Sequence, residues 1–283
     1  MSCPHIPKLT PATFRWHTSP SDALMVQRLA NGTEALVGIK RENAKGQYDN
    51  YLNTTLRIGN ISSLCLAGLK ENLAAALIHL RFQHPEVACT AVWGDAGPPH
   101  IQYRPPRDNA DALTWARDTI ETRVTPQTGL AVRTEVEKQR RCKAVPESAK
   151  SLVIYLIADV ADTTPLAPGA VVDMLMHINH IYWDGISARA FVGDLLRRFG
   201  QRWGGDEQLP EYKWEDEVAN LSEPILDACK VDVGTLGDEF NEAREEFIAS
   251  LINSGVSLVH YILYLLLVLM LTRILYSPAG DSL

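Results

Sequence analysis

Two apolar runs, residues 152–160 and 170–176, stand nine residues apart across a Pro-containing connection. Each reads as a strand. The second leads directly into His177-Ile-Asn-His180-Ile-Tyr-Trp-Asp184-Gly185, and residues 186–199 beyond it are amphipathic. Strand, sharp turn and helix is a layout that presents one side chain at an edge. Here that side chain is His180. A neutral imidazole takes a proton near pH 7, because its unperturbed pKa lies close to that value. Asp184 and Gly185 shape the corner: an Asp hydrogen-bonds backbone two residues on, and a Gly takes a positive φ or admits close backbone approach. The plainer alternative is a loop histidine on an ordinary crossover, with Asp184-Gly185 as a simple turn.

The spacing His180, Asp184, Gly185 resembles the His-x-x-x-Asp-Gly signature of the chloramphenicol-acetyltransferase-like superfamily. That group includes plant BAHD acyltransferases, carnitine acyltransferases, peptide-synthetase condensation domains and fungal O-acetyltransferases of the trichothecene type. Many members carry a second histidine immediately before the catalytic one; this chain has Asn179 there and its extra histidine at 177. The resemblance implies that His180 is the general base that deprotonates an alcohol or an amine. The freed pair then attacks an acyl thioester. It implies a structural role for Asp184, tied in the family to a distant arginine, and a place for Gly185 in the same loop.

The fold expected from the resemblance is α/β (α+β), a CAT-like mixed sheet flanked by helices. It covers a single N-terminal lobe and leaves an apolar C-terminal helix. The expected organisation is a lobe over 10–205, an acidic crossover segment over 206–254 and an apolar tail over 255–283.

Composition narrows the classes. The chain has 283 residues and is 46% hydrophobic, which excludes general disorder. Its net charge of −7 is unevenly placed. Residues 1–200 carry 22 Lys/Arg and 19 Asp/Glu, residues 201–250 carry 4 and 14, and residues 251–283 balance. No basic patch argues for nucleic acid. Five scattered cysteines show no metal-ligand spacing, so no metal site is expected. With no apolar N-terminal leader visible, they suggest a reducing, cytoplasmic setting.

Along the chain, Ser19-Pro-Ser-Asp22 reads as a cap and first-turn Pro opening a short helix to Leu29. Residues 51–58 alternate as a strand. Ser62 or Ser63 is expected to cap a helix with Leu66, Leu69, Leu73, Leu77 and Leu80 as one buried stripe. Residues 87–93 and 100–103 read as a hairpin. Asp108 or Asn109 caps a helix with Leu113, Ala116, Ile120 and Val124 on one face. Residues 130–136 read as a strand, and 137–150 as a charged loop. After the histidine turn, 187–199 form a helix burying Phe191, Leu195 and Phe199. Tyr212-Lys-Trp-Glu-Asp-Glu217 resembles the Trp-plus-acid stretch of fungal members that opens the crossover. Residues 240–252 are expected to be helical, with a solvated acidic face.

Residues 256–271 are almost wholly apolar, sixteen residues broken by Ser257 and His260. A membrane span needs about twenty. Extended over 256–276, with Arg273 snorkelling, the segment is a marginal tail anchor. The competing expectations are a truncated or mispredicted product, a tail-anchored membrane protein, or a helix buried against the lone lobe or a second copy.

The implied function is acyl-CoA-dependent O-acyltransfer, acetyl-CoA or another acyl-CoA serving as co-substrate and no cofactor staying bound. The acceptor is a small-molecule alcohol or amine, and the setting is secondary metabolism. The alternatives are a non-catalytic half-fold, tail-anchored or not, and a condensation-domain fragment.

Overall fold

Strand β8 (Leu152–Ala158) and strand β9 (Val171–Ile178) are buried on both faces, and the rest of the lobe is layered around them. The computed structural model describes residues 11–31, 34, 49–59, 64–93, 99–142, 148–202, 209–228, 230, 242 and 246. They belong to two compact units, 1–225 and 226–283. The expected helix over 240–252 and the tail over 256–276 lie outside the described residues, apart from positions 242 and 246. Among the described residues no helix is long and apolar enough to cross a membrane.

The lobe contains two sheets. One has four strands in the order β3-β9-β8-β6, where β3 is Asn50–Arg57 and β6 is Ile120–Val124. β9 pairs antiparallel with both neighbours, and β6 runs parallel to β8. The other has five antiparallel strands in the order β1-β2-β5-β4-β7. These are β1 (His17–Ser19), β2 (Asp22–Leu29), β4 (Thr90–Val92), β5 (His100–Tyr103) and β7 (Ser148–Lys150). β7 and β8 are separated only by Ser151, so the chain passes from one sheet to the other at that residue.

The alternation of a strand explains why β8 and β9 read as continuous apolar runs. On one face Val172, Met174, Met176 and Ile178, with Ile154 and Leu156, meet α1 (Leu66–Gln83), α2 (Asn109–Thr119) and α4 (Gly185–Gln201). On the other face Leu175, Tyr155 and Ile157 meet Val132 and Val136 of α3 (Gly129–Cys142). The expected stripe of α1 is buried at all five positions, Leu66, Leu69, Leu73, Leu77 and Leu80. Its first residue follows Cys65, which makes no side-chain cap; Ser62 and Ser63 lie outside the described residues.

Four expectations are corrected. Residues 22–29 form strand β2 rather than a helix, because four of them, Val26 to Leu29, pair with β5. Ser19-Pro20-Ser21 is the turn between β1 and β2, with the Ser19 and Ser21 hydroxyls 3.0 Å apart. Asp108 does cap α2, accepting from the Asp111 N–H at 2.7 Å. That helix stops at Thr119, however, and 120–124 leave as strand β6. Residues 130–136 belong to helix α3, which also takes in much of the supposed loop after them, and 148–150 form strand β7. Val132 and Val136, four apart, share the buried face of α3, a helical spacing that a run of seven residues concealed.

Two carboxylates organise the periphery. Asp173 of β9 accepts from the Thr55 hydroxyl and from the Gly129 N–H, both at 2.6 Å, and so anchors the first turn of α3 to the sheet. Glu217 is fully buried. It accepts from the Tyr103 hydroxyl at 2.8 Å and from the Glu215 N–H at 2.6 Å. Glu215 takes φ 90 to make that second bond, a left-handed conformation that an L-residue holds only under compulsion.

Candidate active site

The histidine turn begins where β9 ends. The Asn179 N–H donates to the Ser151 carbonyl at 2.9 Å, the last link to β8. Asn179 then turns the chain. Its side-chain oxygen accepts from the Ile181 N–H at 3.1 Å, and its carbonyl accepts from the Tyr182 N–H at 3.2 Å. This is an Asx-type turn, the local chemistry for which asparagine is suited.

Burial alternates along the turn. Ile181, 2% exposed, packs into the cluster on the five-stranded sheet with Ala91, Ile101 and Tyr103. Trp183 packs against Phe191 of α4 with ring centroids 5.1 Å apart. Its indole N–H donates to the Ser151 hydroxyl at 2.9 Å. His180, between Asn179 and Ile181, is left half-buried, and its ring has no hydrogen-bond partner among the described residues.

Asp184 closes the turn as the N-cap of α4. One carboxylate oxygen accepts from Ile186 at 2.8 Å and from Ser187 at 2.7 Å. The Ser187 N–H above all, then the Ile186 N–H and the nearby His180, outweigh partial desolvation and hold this carboxyl below its usual range. No arginine pairs with Asp184 among the described residues. The loop is therefore shaped through backbone N–H groups, which lie within three residues of the carboxylate. Gly185 is the first residue of α4, and a Cβ there would meet nothing within 4 Å. Its backbone is not at positive φ, so the turn does not require a glycine.

The other histidine is committed elsewhere. His177 Nε2 lies 2.7 Å from Asp49 Oδ2, both side chains are under a tenth exposed, and the imidazole stacks on Tyr51 at 4.9 Å and 12°. Of the two histidines three residues apart, 177 is bound into the lobe and 180 is presented.

Two clefts lie near the turn. One of about 250 Å³ is lined by Tyr182, Trp183, Ser187 and Phe191 with His84 and Asp194. A larger one of about 570 Å³ lies between α2 and the five-stranded sheet, with Arg81, Trp115, Lys150 and Ser151 among its walls. His180 lines neither. Among the described residues no three His, Cys, Asp or Glu side chains gather as a metal site.

Sequence reasoning missed Ser151, Asp49 and Tyr51. Ser151 lies 32 residues from Trp183, and Asp49 lies 128 from His177. No local spacing signals such partners. The one available clue was the polar pair Lys150-Ser151 at the head of the apolar run 152–160.

The chain forms a mixed α/β lobe of two sheets with helices packed on them, and its histidine turn stands at the end of a doubly buried strand. A family model described as 15-O-acetyltransferase Tri3 matches residues 6–259, and the chain belongs to that family. Over 255 residues it is 45% identical to the trichothecene O-acetyltransferase TRI3 of Trichoderma arundinaceum, covering 88% of this chain and 49% of that protein. Over 252 residues it is 39% identical to the trichothecene 15-O-acetyltransferase TRI3 of Fusarium sporotrichioides, covering 87% and 49%. The solved structure of the Fusarium sporotrichioides TRI3 trichothecene 15-O-acetyltransferase superposes with a TM-score of 0.77 at 40% identity, over 87% of this chain and 50% of that one. The chain spans about half the length of the curated relatives it matches.

Proposed function

We propose that this chain carries the histidine-bearing lobe of an acyl-CoA-dependent O-acetyltransferase of fungal secondary metabolism, with a trichothecene-type alcohol as acceptor. His180 is the general base. Its imidazole takes the hydroxyl proton as the acceptor oxygen bonds to the thioester carbonyl carbon. The tetrahedral intermediate then breaks its C–S bond, and the departing thiolate receives the proton back from the imidazolium. The products are the acetyl ester and free CoA thiol. Asp184 holds the turn through backbone N–H groups and takes no part in the bond changes.

One observation carries the reading. The residues flanking His180 are anchored in two separate apolar clusters, while its own ring is partly exposed and uncommitted among the described residues. A base has to be fixed in position and unencumbered in its lone pair, and His177 meets only the first condition. The acceptor class and the acetyl group come from the names of the relatives, and the CoA thioester from the resemblance carried by His180, Asp184 and Gly185. The oxyanion of the intermediate needs hydrogen-bond donors of its own.

A second reading is a non-catalytic lobe, favoured by His180 lining neither of the two clefts. An acetyl-CoA assay with a trichothecene alcohol separates the two. Turnover by the purified chain that is lost in His180→Ala supports the base. Turnover that survives the substitution removes His180 from the mechanism, and a chain with none favours the second reading.

A further inference from the structure

We propose that Ser151 is a positioning residue for His180, a clamp holding both ends of the catalytic turn from a residue at which the chain passes from one sheet to the other. The proposal rests on the reading of His180 as the base.

Ser151 is 1% exposed and stands between β7 and β8. Its carbonyl accepts from the Asn179 N–H at 2.9 Å, and its hydroxyl oxygen accepts from the Trp183 indole N–H at 2.9 Å. The two bonds bracket His180, one residue before it and three after. Between them the chain is free of the sheet ladder, since β9 ends at Ile178 and α4 begins at Gly185. The turn is thus a loop closed at its foot by a single residue. A general base works only while its ring is held within a small angular tolerance, by neighbours that are themselves locked. The side chains of Asn179 and Asp184 bond only within or just beyond the turn, at separations of two or three residues. They fix its shape and leave open where it sits. Ser151 fixes its place relative to β8.

Serine suits the position because its short hydroxyl reaches the indole from the bend between β7 and β8. Alanine keeps the carbonyl bond and removes the other, leaving a buried indole N–H with no acceptor. One arm of the clamp is therefore separable from the other.

The test uses the full chain with 13C-labelled histidine, the His180 signal being assigned by its loss in His180→Gln. In the unaltered chain the Trp183 indole proton is expected to be protected from exchange; rapid exchange would overturn the clamp without any substitution. In Ser151→Ala the His180 Cε1 resonance is expected to shift or broaden, and the Ile181 and Tyr182 amides to exchange about tenfold faster. Trp183→Phe removes the same bond from the other side and is expected to move the His180 signal likewise, the double variant going no further than either single one. Val132→Ala, in the separate cluster under α3, is expected to destabilise the lobe and leave that signal in place. An unmoved His180 resonance in Ser151→Ala, or an equal movement in Val132→Ala, would overturn the proposal. The resonances are read at one fixed pH without substrate, so they do not depend on turnover. A moved signal with turnover untouched by His180→Ala would sink the base reading and keep the clamp; an unmoved signal with turnover abolished would do the reverse.

Discussion

At Asp184 a single carboxylate oxygen serves two backbone N–H groups at the start of α4. Asp184→Ala is expected to cost about 0.5–2 kcal/mol in urea unfolding at neutral pH. The pH dependence has a definite sign. The folded carboxyl sits below the ordinary range, chiefly through the Ser187 N–H. Its contribution is present above the unfolded value of about 3.9 and is lost as pH falls through the lowered folded value. Wild type and Asp184→Ala should therefore converge in stability only in acid below about pH 4. His177 offers the contrasting case. Its removal leaves the Asp49 carboxylate, 5% exposed, without the imidazole and Tyr51 without its stacked ring. His177→Ala is expected to lose about 1–3 kcal/mol by chemical denaturation.

Among the elements, α3 depends on one close approach. A Cβ on Gly129 would overlap the Asn53 carboxamide and reach Asp173 Cβ at 3.0 Å. Gly129→Ala is expected to push Asn53 aside, weaken the Asp173 anchor and destabilise the lobe by about 1–3 kcal/mol, read as a lowered melting temperature. In α1, Leu77→Ala at a fully buried position should cost about 2–5 kcal/mol by the same measure.

These elements also divide what was legible in the residues from what was not. α1 and α4 announced themselves, because a stripe sustained over four or five turns leaves little choice of period. β8, β9 and the turn between β9 and α4 were equally plain. β2 was misread because Ser-Pro-Ser-Asp before an apolar stretch suits a hairpin turn as well as a helix start, and pairing with β5 decided the matter. α3 was misread because its valines at 132 and 136 fit either period over so short a run. The α2–β6 junction at Thr119–Ile120 carries no Gly or Pro, so nothing local marks where the helix gives way to parallel pairing with β8. In the site, His180, Asp184 and Gly185 lay in one window of sequence. The partners that hold the window in place came from strands far away in the chain.

For the whole lobe, residues 209–221 behave as part of the first unit's packing. Tyr212 stacks on Phe82 of α1 at 4.8 Å, the Trp214 indole donates to Asn109 at 2.9 Å, and Asn220 donates to the Phe82 carbonyl at 2.8 Å. Beneath them the Tyr103 hydroxyl reaches Glu217, and the Arg81 guanidinium lies over the Trp115 ring at 4.6 Å. Burial pushes the Tyr103 phenol far up its scale, so it remains a donor throughout the accessible pH range. Tyr103→Phe is expected to leave Glu217 short of a partner, cost about 1–3 kcal/mol, and speed amide exchange across 216–220 more than elsewhere. The buried acid also sets a rule for anyone dissecting the molecule. A fragment cut at residue 205 would bare the Tyr103 hydroxyl and the Phe82 ring of α1 to water, whereas one carried past Leu221 keeps both sealed beneath that strap.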